Sequence, residues 1–197
     1  ASKEISMTCA VTVNRATGFV TITPTNDGAT YGTTQKEFVV TSHHGGTLSA
    51  IETSAHGVTV VINDNNPSEI KVVVSNIATL PKDTIVKVKV ISAQTEQYEE
   101  AESQEYILTI GNALMTGSAS ISGTPEYLQT LTAVTSGIVP TADSYTYQWW
   151  VADSSSATSG TLLTEPSTSN TFTINDASLV GKYIGVTIVA TKANYTS

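Results

Sequence analysis

The stretch Tyr145-Thr146-Tyr147-Gln148-Trp149-Trp150-Val151 decides the fold. Large apolar side chains recur at every second residue, and a period of two is the period of a β-strand. Tyr145, Tyr147, Trp149 and Val151 share one face, which predicts a core centred on Trp149. Trp150 stands on the opposite face. Working outward, the same alternation returns along the whole chain. Ser118–Ser122, Leu128–Thr135, Asn170–Ile174 and Tyr183–Thr191 read as strands around it. Ser136-Gly137 and Pro140 begin a loop, and Asp153–Gly160 is a polar hairpin region. Asn175 to Leu179 reads as a helical turn capped by Asn175 or Asp176.

The first half reads the same way. Ile5, Met7, Cys9, Val11 and Val13 alternate strictly, and Asn14–Gly18 turns the chain into a strand at Phe19–Thr23. Asn26-Asp27-Gly28 is a turn signal. Phe38–Thr41 is a strand closed by Gly45-Gly46. Val58, Val60 and Ile62 share a face, then Ile70, Val72 and Val74. Within Asp83–Ile91, Val86, Val88 and Val90 point inward while Lys87 and Lys89 point to solvent. Tyr106, Leu108 and Ile110 close the series. About seven or eight short strands at this spacing predict a sandwich or barrel. The acid-rich stretch 97–104 reads as a loop, because its glutamates repel one another.

Composition agrees. The chain has 197 residues, 40% hydrophobic and only 13% charged. Thr, Ser and Val take up the difference, and β-branched residues suit a pleated sheet. Net charge is −8, with 9 basic residues and no basic run. That excludes a surface that tracks phosphates, so no nucleic-acid partner is expected. No apolar run reaches the ~20 residues of a spanning helix, so no membrane insertion is expected. The resulting expectation is an all-β chain of two tandem sandwiches, residues 1–110 and 118–197, joined by a short linker at 111–117. Leu114 and Met115 of that linker are candidates to pack between the domains. The start at Ala1-Ser2-Lys3-Glu4 fits a cleaved, cloned or Met-processed terminus alike.

Residues 117–197 resemble a repeated immunoglobulin-like module of bacterial surface and secreted proteins and of phage structural proteins. The resemblance rests on an ordered series. It runs through Ser120-Ile121-Ser122-Gly123-Thr124, Gln129-Thr130-Leu131-Thr132-Ala133 and Tyr147-Gln148-Trp149-Trp150. It ends with Asn170-Thr171-Phe172-Thr173-Ile174 and Leu179-Val180-Gly181-Lys182-Tyr183-Ile184-Gly185-Val186-Thr187-Ile188. In residues 1–110 a looser likeness rests on Tyr98-Glu99-Glu100-Ala101 before Tyr106–Ile110. The resemblance implies immunoglobulin-like sandwiches with Trp149 between the sheets, no catalysis, and use as a stalk, fibre, decoration or adhesive module. It implies an extracellular place, on a bacterial cell surface or on a phage virion. It implies partners that are protein subunits or a surface polymer such as a glycan. The paired cysteines of antibody domains are absent. In this family another short strand usually follows the segment matching Ala190–Ser197. Either the chain is a fragment, or the second sandwich lacks its last strand and leaves an edge open to strand addition.

Candidate sites are few. Trp150 is a candidate partner contact, and Tyr195 a second. A carbohydrate-binding or accessory module of a secreted enzyme is the alternative function, and it would need Trp150 with Tyr127 or Tyr195 on one open face. Cys9, the single cysteine, reads as a small buried apolar residue. His43, His44 and His56 read as solvated loop residues, too few for a structural zinc site. Asn63–Asn66 with Glu69 offer oxygens but too few carboxylates for a strong calcium site. Lys87 and Lys89 lie on a polar face, away from any buried acid that would promote a side-chain amide. Asn194-Tyr195-Thr196 fits a glycosylation acceptor. The sequence suggests no Ser-His-Asp set, no Cys-His pair and no phosphate loop. Neither an enzyme nor a cofactor is expected, although paired carboxylates within Glu96–Glu105 are the nearest thing to a glycosidase pair.

Overall fold

The computed structural model describes residues 9–65 and 69–196. These residues are all-β apart from one 3-10 turn. The chain divides between Gly111 and Asn112 into two compact units.

Among the described residues the first unit holds nine strands. They are β1 (Val20–Thr23), β2 (Asn26–Thr30), β3 (Gln35–His43), β4 (Leu48–Glu52) and β5 (Thr59–Asn63), followed by β6 (Ile70–Ser75), β7 (Ile85–Ser92), β8 (Ala101–Glu102) and β9 (Tyr106–Gly111). One sheet runs β1-β3-β6-β5, the other β2-β9-β7-β4, with β8 beside β7. Alternate residues of both sheets meet in a shared core. Val72 and Val74 of β6, Val86, Val88 and Val90 of β7, and Tyr106 and Leu108 of β9 are fully buried. Phe38 stacks on Tyr106 with ring centres 4.2 Å apart.

Two features of this unit depart from expectation. Asn26-Asp27-Gly28 is not a turn but the start of β2, which pairs in parallel with β9 from Asn26↔Ile107 to Thr30↔Gly111. Tertiary partners override the local turn preference. Asp27 accepts from the Lys36 ammonium at 2.8 Å and from the Tyr106 hydroxyl at 3.3 Å. Burial pushes the Asp27 carboxyl up, but these donors and the Gly28 N–H outweigh it and hold it below its ordinary range. The described part of the alternating segment near the start of the chain also fails to pair. Ile5 and Met7 lie outside the described residues, and Cys9–Val13 form no strand. Val11 and Val13 are 82% and 92% exposed, and Cys9 is exposed rather than buried. Alternation sets which side chains share a face, but a strand also needs a backbone edge to bond. In addition β4, which the sequence reading passed over, pairs with β7 from Leu48↔Ser92 to Glu52↔Val88.

The second unit contains β10 (Ala113–Leu114), β11 (Thr116–Ser122), β12 (Thr130–Val139) and β13 (Ser144–Ala152). Then come β14 (Thr161–Leu162), β15 (Thr171–Thr173), the 3-10 turn Ala177–Leu179, β16 (Tyr183–Thr191) and β17 (Tyr195–Thr196). Asp176 caps the 3-10 turn by accepting from the Ser178 N–H at 2.8 Å. One sheet runs β11-β12-β15, the other β14-β13-β16, and β10 pairs with β17 in parallel. The stretch 111–117, read as a linker, therefore carries the end of β9, β10 and the start of β11. Met115 is buried and Leu114 is 66% exposed. β12 runs past Thr135, because Gly137 lets the Ser118 carbonyl approach where a side chain would collide.

Candidate functional site

The centre of the second unit is built by β13 and β16, paired antiparallel from Ser144↔Thr191 to Ala152↔Tyr183. Their inward faces carry Tyr145, Tyr147, Trp149 and Val151 against Ile184, Val186 and Ile188. Trp149 is 1% exposed and stacks on Phe172 of the facing sheet at 5.6 Å. It is the between-sheet plug that the alternation points to.

Trp150 is not the open ring that a contact platform needs. It is only 9% exposed, and its ring lies over Gly185, its partner on β16, with Gly160 against its edge. Glycine at 185 is what lets the ring lie flat on the sheet. The indole N–H groups of Trp149 and Trp150 are both buried without an acceptor among the described residues. Tyr195 pairs with Ala113 in β17 and is half-buried. Tyr127 is 48% exposed, but Trp150 does not join it on an open face.

A cleft that the sequence reading did not locate lies at the start of β16. It has a volume of about 790 Å³, and Ile121, Leu131, Ile174, Leu179, Val180 and Ile184 supply its apolar lining. Tyr127 and Tyr183 stand at it too, with Glu126 and Lys182 as its charged members. Lys182 is engaged by Asp153. Ile121 belongs to β11 and Ile184 to β16, so the cleft opens between the two sheets. β16 is the last strand of its sheet. Among the described residues one edge pairs with β13 and the other pairs with nothing.

In the first unit the corresponding strand is β7. There β7 is flanked by β4 on one side and β9 on the other. Its inward residues Val86, Val88 and Val90 are all 0% exposed. The matching residues of β16, Ile184, Val186 and Ile188, are only partly buried. Beside β7, β9 carries the buried Tyr106, Leu108 and Ile110.

The remaining candidate residues are occupied by structural bonds. His44 is not solvated. Its Nδ1 accepts from the Phe19 N–H at 3.0 Å and its Nε2 donates to the Ala93 carbonyl at 2.9 Å. One tautomer serves both bonds, and the ring packs edge-on to Phe19 and against Tyr98. His43 accepts from the Gly45 N–H at 3.2 Å. The His56 N–H donates to Glu52, and its ring contacts the Ile85 carbonyl at 3.2 Å. Lys87 pairs with Glu105 at 3.2 Å and Lys89 with Glu102 at 2.8 Å. Arg15 and Glu99 approach to 3.9 Å. Glu99, Glu102 and Glu105 thus each face a different cation.

Asn63, Asn65, Glu69 and Lys71 border a depression, and the Lys71 ammonium pairs with Glu37 at 3.3 Å. Lys71 brings a positive charge to this lining, against a cation. Asn66 of the expected oxygen set lies outside the described residues. No group of three or more His, Cys, Asp or Glu among the described residues could hold a metal ion. The chain matches no family model and no curated protein.

Proposed function

We propose that this chain is a non-catalytic structural or adhesive module, made of two tandem immunoglobulin-like sandwiches. Its place is the outside of a bacterial cell or a phage particle, as part of a stalk, fibre or decoration. The strand orders support the sandwich reading. β1-β3-β6-β5 facing β2-β9-β7-β4 has the four-strand and CFG-type sheets of an immunoglobulin-like domain. β13 and β16 in the second unit occupy the positions of β4 and β7 in the first. The observation that carries the function is the cleft between the two sheets at the start of β16, with a mostly apolar lining and the exposed rings of Tyr127 and Tyr183 beside it. Such a surface suits a polypeptide better than a small polar substrate. The exposed strands are Thr- and Ser-rich, which keeps a displayed module soluble at low charge.

Antibody labelling of intact source cells and of purified virions tests this reading. Signal on either surface without permeabilisation is expected. Signal that appears only after cells are broken open, with none on virions, overturns it. The carbohydrate alternative is an outcome of a parallel measurement. Binding to a glycan array that is lost on Tyr127→Ala or Tyr183→Ala would favour it, since these are the exposed rings at the cleft.

A further inference from the structure

We infer that the first unit is a tension-bearing element, and that its resistance to pulling comes from the parallel pair of β2 and β9. The inference rests on the display reading above for its purpose: a stalk or fibre that holds something away from a surface carries load along its chain.

Topology sets the direction of loading. The chain enters β2 at Asn26 and leaves β9 at Gly111. The two strands run the same way, with Asn26 opposite Ile107 and Thr30 opposite Gly111. Entry and exit therefore lie at opposite ends of one ladder. Tension applied before β2 and after β9 draws the strands lengthwise past each other and loads their rungs together. Strands pulled from neighbouring ends instead open one rung at a time. The ladder is closed at both ends. The Ile107 N–H donates to the Thr25 carbonyl at 2.8 Å, and the Tyr31 N–H donates to the Gly111 carbonyl at 2.9 Å. Upstream, β1 is held to β3 from Val20↔His43 to Thr23↔Val39, and load reaches β2 once that pairing yields.

Side chains pin the same pair. The Tyr106 hydroxyl of β9 donates to the Asp27 carboxylate of β2 at 3.3 Å, and the Lys36 ammonium of β3 reaches that carboxylate at 2.8 Å. Asp27 thus ties β2 to its neighbour in the sheet and to the facing sheet. Tyr106 is fully buried and stacked on Phe38, so the tie is anchored in the core. A single backbone hydrogen bond is weak on its own; rungs that must fail in one step are not. Forced unfolding is governed by the unfolding rate, so the direction of loading sets the resistance of this unit more than its total stability does.

The test pulls single molecules of the full chain in optical tweezers from two directions. In the first, one handle is on Cys9, which is exposed and lies upstream of β1, and the other is on a tag added after Ser197. In the second, the first handle moves to residue 34 in the variant Cys9→Ser/Thr34→Cys. Thr34 is exposed and lies between β2 and β3, so load then meets β2 at Thr30, the end of the ladder where Gly111 also lies. The shorter length of chain released from residue 34 identifies the event that belongs to the first unit. That event should occur at a several-fold lower force in the second geometry, while the second unit, loaded alike in both, ruptures at one force. Tyr106→Phe, pulled from Cys9, should lower the rupture force of the first unit. Val60→Ala, on β5 of the facing sheet and packed against the core, should lower the melting temperature and leave that force unchanged.

Equal rupture forces for the first unit in the two geometries overturn the inference. So does a force unmoved by Tyr106→Phe, or one that falls with Val60→Ala, which would tie resistance to the core rather than to the ladder. A chain that labels cell or virion surfaces but ruptures alike from both directions removes this inference alone. A direction-dependent first unit in a chain found only inside cells removes the display reading alone.

Discussion

Replacing Gly185 by alanine should destabilise the second unit, although alanine is the better strand residue by about 0.5–1 kcal/mol where space allows. The backbone presents no obstacle, because Gly185 does not adopt a positive φ. The obstacle is Trp150. A methyl carbon at Gly185 would fall among the six-membered ring atoms of the indole. Residues 150 and 185 are paired on adjacent strands, so the backbone cannot withdraw and the ring must swing away. A buried tryptophan removes about 150–250 Å² from water. At about 25 cal/mol per Å² this amounts to about 4–6 kcal/mol, an upper bound. Partial displacement, offset by hydration of the buried indole N–H, leaves an expected loss of about 2–4 kcal/mol, at or just above the usual range for overpacking. Both tryptophans of the chain lie in this unit, so their emission during urea unfolding reports it selectively. Trp150→Leu keeps Trp149 as the probe and frees the space above residue 185. A double-mutant cycle should then show a coupling of about 1–3 kcal/mol. A neutral or stabilising Gly185→Ala, or additive effects with Trp150→Leu, would refute the packing argument.

The first unit supplies two further tests. Burial pushes the Glu52 carboxyl up, but the His56 N–H, the Ser54 hydroxyl and the Val58 N–H together hold it below its ordinary 4.5. A folded value below the unfolded one means this carboxylate stabilises at neutral pH, and that the stabilisation is lost as pH falls through the depressed folded value. The parent chain should therefore lose more thermal stability on acidification than Glu52→Gln, read as the change in the circular-dichroism melting temperature; parallel curves for the two chains would count against the role of Glu52. His44→Ala removes bonds to Phe19 and Ala93 and leaves the part-buried Ala93 carbonyl without this donor, which should lower the stability of this unit by about 1–2 kcal/mol in chemical denaturation; a change within about 0.5 kcal/mol, the scale of an ordinary surface substitution, would contradict the clasp.

What was legible in the sequence was what depends on period. Trp149, Val86, Val88, Val90, Leu108 and Ile110 could be assigned to cores from alternation alone, because side-chain facing follows chain position in a strand. Even the Asp176-capped turn was readable, since capping is a local bond. What failed depended on a distant partner. Asn26-Asp27-Gly28 has a strong turn preference, yet pairing with β9 and the bonds to Lys36 and Tyr106 place it in a strand. Ile5–Val13 has an ideal strand pattern, yet its described part finds no edge in its own unit. β4 was missed because Ser49 and Glu52 dilute its pattern. At the site, the cleft between Ile121 and Ile184 is a product of two sheets and has no local signature. Trp150 could be placed on the outer face; that it would lie buried on Gly185 follows from cross-strand register, which period alone does not give.

The parallel pairing of β2 with β9 also sets a clock. Asn26 bonds alongside Ile107, so one partner leaves the ribosome long before the other. At about 5–20 residues per second, the 81 positions between them take roughly 4–16 s to synthesise. For that interval the nascent first unit has a β2 with no partner and a β7, once made, with one bare edge. The unit cannot close until Gly111 has emerged, and throughout that time its exposed strand edges are open to chaperones and to neighbouring nascent chains.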